Sequence, residues 1–198
     1  MYLMALGNTQ LAVDLAKEAG VRRIVTLSSL AEDEFHRGAE RTAESSGLEW
    51  THVRPGMFMT NLGDWADGIR EGVVREPYAQ TTQAPVHEVD IAEVAVAALL
   101  EDGHNGRSYP LTGPHLLSKV QQARTIGEAI GKDVRFEELS PMQWRECVKD
   151  RMPDFVIEFL LELWETANES VLNTVEDVLG RPAKTLAEWA VDHKEDFR

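Results

Sequence analysis

A single cysteine, Cys147, stands in the whole sequence, so no internal disulfide can form, and a lone thiol fits a reducing compartment. Free cysteine is among the most buried residue types, and Cys147 is expected as a packed thiol, not a nucleophile. Long apolar runs are missing as well. The longest, Val94 to Leu100, falls far short of the ~20 residues that cross a bilayer. Met1 to Leu6 has no basic stretch ahead of it and runs into a helical pattern, which speaks against a secretory leader and for the cytoplasm. Basic charge is scarce: 20 lysines and arginines face 34 aspartates and glutamates, a net charge of −14. Such a surface repels a phosphate backbone and argues against direct nucleic-acid binding. Neither H-E-x-x-H nor C-x-x-C occurs, and the six histidines are scattered, so no metal site is expected. No G-x-S-x-G elbow is there to present a nucleophilic serine.

What is present is an ordinary globular composition, 43% hydrophobic and 27% charged. Apolar runs of strand length alternate with segments of helical period. Met1 to Leu6 reads as a strand, Thr9 to Ala19 as a helix closed by Gly20, and Arg23 to Leu27 as a strand. Asp33 to Ser46 reads as a helix ending at Gly47, and Trp50 to Arg54 as a strand broken by Pro55-Gly56. A helical pattern from Met57 to Arg70 and an extended piece at Val73 to Arg75 follow. Asp90 to Leu100 is expected as a helix opened by a capping box of Asp90 and Glu93. Ser108 to Thr112 is extended, Ser118 caps a helix to Ile130, and Val134 to Leu139 is a last strand.

The nearly all-apolar run Ile24-Val25-Thr26-Leu27 suits a parallel strand covered on both faces. With β and α alternating, the expected fold class is α/β, a doubly wound parallel sheet forming part of a Rossmann-like fold. After Leu139 the pattern turns helical, starting at the capping box Ser140-Pro141-Met142-Gln143. The expected division is therefore a Rossmann-like region over residues 1–139 and a helical substrate or lid region over 140–198. Within the latter, Phe155, Val156, Phe159, Leu160, Leu163 and Trp164 form one broad apolar face that calls for burial. It serves as core, as the roof of an apolar substrate pocket, or as an oligomer contact.

Five stretches, in order and spacing, resemble the NmrA-like branch of atypical short-chain dehydrogenases: Arg23 to Leu30, His36 to Glu40, Ser46 to Met59, Pro85 to Ala95 and Gly106 to Pro114. The resemblance spans nearly the whole chain and implies NAD(P) as cofactor, NADP ahead of NAD. It places Ser28 and Ser29 at the carboxyl edge of the sheet beside the nicotinamide ribose, where ligands of open α/β sheets sit. Two serines beginning a turn are the alternative. It also places the turn Pro55-Gly56-Met57-Phe58 against the nicotinamide. Proline fixes that chain, glycine admits a flat ring, and Met57 and Phe58 supply an apolar wall; a plain strand-to-helix turn is the alternative. His36 falls where classical members of the superfamily carry a lysine, and Glu32 where they carry a tyrosine. Histidine can hold a ribose hydroxyl or relay a proton near neutral pH, so His36 is the candidate catalytic residue, an idle surface histidine being the alternative.

The resemblance also implies a Gly-rich strand-to-helix turn cradling the pyrophosphate, and this sequence holds none; Gly103 and Gly106 lead into a strand. The expected function is an NAD(P)-binding oxidoreductase acting on a small apolar or quinone-like substrate. Two rivals stand beside it: a non-enzymatic NAD(P)-sensing protein, and a shortened relative that has lost the cofactor. The first strand would pair, in the full doubly wound order, with a strand not in the sequence. Its open apolar edge is expected to drive homo-oligomerisation and weak cofactor binding.

Overall fold

The computed structural model describes residues 1–4, 8–31, 33–167 and 169–198. The elements run β1 (Tyr2–Met4), α1 (Thr9–Glu18), β2 (Arg23–Leu27), α2 (Glu34–Glu44), β3 (Glu49–Pro55), a 3-10 stretch (Met59–Trp65), α3 (Ala66–Glu71), β4 (Val73–Glu76) and β5 (Thr82–Gln83). They continue with α4 (Glu88–Leu100), β6 (Arg107–Leu111), β7 (Leu117–Ser118), α5 (Lys119–Ile130), β8 (Arg135–Glu138), α6 (Pro141–Val148), α7 (Asp154–Thr166), α8 (Thr174–Leu179), α9 (Leu186–Asp192) and a 3-10 turn (Lys194–Phe197). The chain forms two compact units, each assembled from alternating stretches. The first comprises Met1–Phe58, Val86–Pro114 and Leu172–Ala183, the second Met59–Pro85, His115–Val171 and Lys184–Arg198.

The first unit is the doubly wound part. Its sheet has the order β1-β2-β3-β6, all parallel. Because side chains alternate across a strand, Ile24 faces one side with Leu3, Val13 and Ala43, under α1 and α2. Val25 faces the other with Val53, Leu111, Ile91, Val94 and Val175, under α4 and α8. Ile24 and Val25 are fully buried, each burial stabilising by about 1.5–3 kcal/mol. Helices on both faces explain why β2 carries no polar rhythm. Among the described residues, β1 is hydrogen-bonded on one side only, to β2, and Tyr2 and Met4 remain half exposed. Of the first expected strand, Ala5 and Leu6 lie outside the described residues.

The second unit holds two small sheets, β4 with β8 in parallel and β5 with β7 antiparallel. Gly68 of α3 is needed for close approach, since a Cβ there would lie 2.6 Å from the Val73 carbonyl oxygen. α5 opens on the expected Ser118 cap, in a full capping box with Gln121, and α6 on the Ser140 and Gln143 box with Pro141 in its first turn. A buried polar knot lies between β4, α5 and α7. Lys119 Nζ donates to Glu76 Oε2 at 2.7 Å and to the Pro77 carbonyl at 3.2 Å, and sits 3.3 Å from the centre of the Trp164 ring. Trp65 Nε1 donates to the other Glu76 oxygen at 2.8 Å. Burial pushes the Lys119 ammonium below its ordinary value, against the pull of Glu76. Next to this knot Tyr78 takes the left-handed conformation, φ 56°.

Four expectations change. The helix expected from Asp90 begins earlier, at Glu88, and is capped by the His87 ring, which accepts from Val89 N at 3.1 Å. Asp90 is instead fully buried, accepting from Arg181 at 2.8 Å. The helical pattern from Met57 resolves into a 3-10 stretch and the short α3. Cys147 is exposed, because the i, i+4 spacing of Trp144 and Val148 turns those residues inward and Cys147 away. The apolar face of α7 is split: Ile157 is buried and Leu160, Leu161 and Trp164 pack with α6, while Phe155 and Phe159 stay exposed.

Candidate functional site

All candidate residues named from the sequence fall in the first unit, at or just beyond the carboxyl ends of β2 and β3. That edge is where an open parallel sheet presents its loops to a ligand. The chain leaving β2 is tied to β3, with Ser28 N donating to the Val53 carbonyl at 2.8 Å and Leu30 N to the Pro55 carbonyl at 3.0 Å. Ser29 Oγ accepts from Ala31 N at 3.1 Å, a serine-closed turn. Ser28 is buried. Its hydroxyl lies toward the Glu40 carboxylate and helps keep that group ionised, yet no well-directed hydrogen bond satisfies it.

The turn Pro55-Gly56-Met57-Phe58 is equally pinned through its backbone. Gly56 N donates to the Leu111 carbonyl at 2.9 Å, the Met57 carbonyl accepts from Val86 N at 2.8 Å, and Phe58 forms a parallel bridge with Val86. Pro55 is buried, while Gly56, Met57 and Phe58 remain partly open to solvent. The result is a rigid, partly accessible apolar strip at the carboxyl end of β3, which fits a flat ring. A bound dinucleotide would supply hydride chemistry at such a place.

His36 lies in the first turn of α2, which starts at the same sheet edge. Its Nδ1 is 2.5 Å from Asp33 Oδ2, and its backbone N donates to Asp33 Oδ1 at 3.1 Å, so Asp33 is both the helix cap and the partner of the ring. Burial works to raise the Asp33 pKa, but the hydrogen bonds from the His36 backbone and ring outweigh it and hold the carboxyl below its ordinary value. Glu32, at the expected tyrosine position, lies outside the described residues.

One charged centre was not singled out from the sequence. Glu40 is 1% exposed, and its oxygens accept from Arg54 Nε and Nη2 at 2.7 and 2.8 Å and from Arg37 Nη1 at 2.7 Å. Burial alone would raise its pKa, but the hydrogen bonds from Arg54, the Ser28 hydroxyl lying toward it and the nearby charges bring it down to about 2. The available signal was helical phase, since Glu40 shares the inward face of α2 with Ala39 and Ala43. Glu40, Glu44 and His52 bring ligand atoms within 4.8 Å of one another. The two arginines already claim both Glu40 oxygens, and His52 Nε2 is 3.2 Å from Glu44, so the donor set suits an ion-pair network better than a cation. Burial pushes the His52 pKa down, against Glu40 and Glu44. No helix among the described residues is long and apolar enough to cross a membrane.

A parallel sheet wound on both faces, with hydroxyls and a proline-glycine turn at its carboxyl edge, is the architecture of a dinucleotide-binding α/β protein. The family described as NAD(P)H-binding matches residues 4–102, and the chain belongs to it. A Streptomyces griseus (4-alkanoyl-5-oxo-2,5-dihydrofuran-3-yl)methyl phosphate reductase is 38% identical over 92% of this chain and 70% of its own length. An NAD(P)H azoreductase of Xenophilus azovorans is 37% identical over 80% of this chain. The chain spans only 57% of that azoreductase. An NADPH-dependent quinone oxidoreductase of Escherichia coli, solved with NADPH, superposes with a TM-score of 0.82 at 24% identity, covering 96% of this chain and 75% of that one. The likeness to this last structure is one of fold. The expected NAD(P)-binding family and the expected fold class both hold.

Proposed function

We propose that the chain belongs to an NAD(P)H-dependent reductase of a small apolar, quinone-like substrate. The pinned, partly open strip Gly56-Met57-Phe58 carries this reading, because it offers an apolar wall for a nicotinamide. The names of the azo- and quinone-reducing relatives support it. In this reading Ser28, Ser29, Pro55, Gly56, Met57 and Phe58 contact the cofactor, NADP is taken ahead of NAD, and His36 hands a proton to the substrate. Residues 140–198 supply the substrate side, where α7 leaves Phe155 and Phe159 exposed. Copies associate through the open edge of β1, in a reducing cytoplasm.

Fluorescence titration with NADPH and NADH, together with NADPH-driven reduction of menadione, tests the reading. Saturable NADPH binding with turnover is expected, and loss of turnover in His36→Ala. Absence of dinucleotide binding to the chain would overturn it. Binding without turnover would favour the sensing protein, a reading encouraged by Glu32 and His36 standing where the superfamily carries tyrosine and lysine.

A further inference from the structure

We propose that Asp33 is the positioning residue of the reduction, holding His36 as a carboxylate–imidazole pair that delivers the proton; this rests on the reductase reading above. One carboxylate grips one residue twice, through its backbone N at 3.1 Å and its ring Nδ1 at 2.5 Å. An ionised carboxylate only accepts, so Nδ1 is the protonated nitrogen toward Asp33, and Nε2 is left to exchange a proton with a ligand. The helix cap fixes the carboxylate and the carboxylate fixes the ring. The Phe35 ring adds an edge-on contact, 5.2 Å between centroids. Both side chains are about one-third exposed, so the pair is reachable from solvent at the sheet edge that carries Ser28.

The charged neighbours of His36 on α2 are engaged elsewhere: Arg37 with Glu40, and Glu34 with Arg41. With the hydride supplied by a reduced nicotinamide, the Nε2–H bond of the imidazolium breaks and an O–H bond forms on the substrate carbonyl oxygen. One hydride and one proton turn a quinone into a hydroquinone, and the nicotinamide is oxidised. His36 is left neutral with Nδ1–H still on Asp33, and water restores the proton. A simple cap reading of Asp33 needs only Oδ1; the contact of Oδ2 with Nδ1 is what the pair explains.

Asp33→Asn separates the two, because asparagine caps a helix as well as aspartate does but offers no carboxylate to the ring. Imidazole 15N NMR on the full chain without cofactor reads the tautomer, the His36 signal being the one lost in His36→Ala. The parent is expected to show the Nδ1–H form when neutral, and Asp33→Asn to move it to Nε2–H. Turnover with NADPH and menadione should fall about 10- to 100-fold in kcat, while KM for NADPH stays within about twofold. A parent in the Nε2–H form, or Asp33→Asn at parental kcat while His36→Ala is impaired, would overturn the pair. Parental turnover in His36→Ala would remove the donor and the pair together. If the parent does not reduce menadione, the reductase reading fails, and the tautomer still decides whether Asp33 sets the ring.

Discussion

Arg181 reaches the fully buried carboxylate of Asp90 across 91 positions of sequence, Nη2 to Oδ1 at 2.8 Å, and the same nitrogen meets Glu93. The contact anchors the end of α8 to the first turns of α4. Its ionic partners raise the guanidinium pKa, a hydrogen bond to Glu93 first among the causes.

Arg181→Met is therefore expected to destabilise the protein by about 2–3 kcal/mol, the lower end for a pair whose cation is partly in water. Urea unfolding checks this. Adding Asp90→Asn to the same chain should recover part of the loss, because the fully buried side chain then carries no charge.

Glu40 makes an acid-sensitive contribution of known sign. Its folded pKa, about 2, lies below the ordinary 4.5, so the stabilisation is complete above about pH 5 and is lost as pH falls through 4.5 toward 2. The amount is roughly 3 kcal/mol. Glu40→Gln should be less stable at pH 7 by a comparable amount and lose less between pH 5 and 3. Parallel acid slopes in parent and variant would show that Glu40 is not the group responsible.

Lys119→Met keeps most of the aliphatic stem but strips Glu76 of its cation, and a fall of about 3 kcal/mol is expected. Trp65 still donates to Glu76, which sets the loss near the low end. In Lys119→Met with Glu76→Gln the deficit should shrink. A thermal melt of the single and double variants decides it.

Gly56→Val places a branched side chain on the partly open strip. NADPH affinity should drop at least about tenfold, near 1.4 kcal/mol, and a thermal melt of the variant beside the parent separates a lost contact from a lost fold. Unchanged affinity would take Gly56 out of the cofactor contact.

Much of the first unit was readable from the sequence, for local reasons. Arg23 to Leu27 is a strand to the residue, since a short β-rich apolar run bounded by Gly20 and paired serines has few other homes. The Ser118 and Ser140 boxes declared their helices because the capping partners sit three positions apart. His87 did not, because a histidine ring acting as a cap has no sequence mark distinguishing it from any histidine near a helix start. Asp90 was misread for the complementary reason: its spacing to Glu93 imitates a capping box, and Arg181, which claims it, lies far along the chain. At the site, the strand-end serines and the Pro55 turn were legible as motifs. The Arg37-Glu40-Arg54 cluster depends on which face of α2 meets the sheet, and helical phase shows this only once the neighbouring strand is known.

The late position of α8 bears on how the protein is made. Val175, Val178 and Leu179 close the α4 side of the first unit's core, and Leu172 N ties that segment to Thr112 Oγ1 at 2.9 Å. On a ribosome, β2, β3 and α4 are synthesised on the order of ten seconds before these residues. During that interval Ile91, Val94 and Ala98 lack their final cover, so this face of the first unit's core is completed only when α8 arrives.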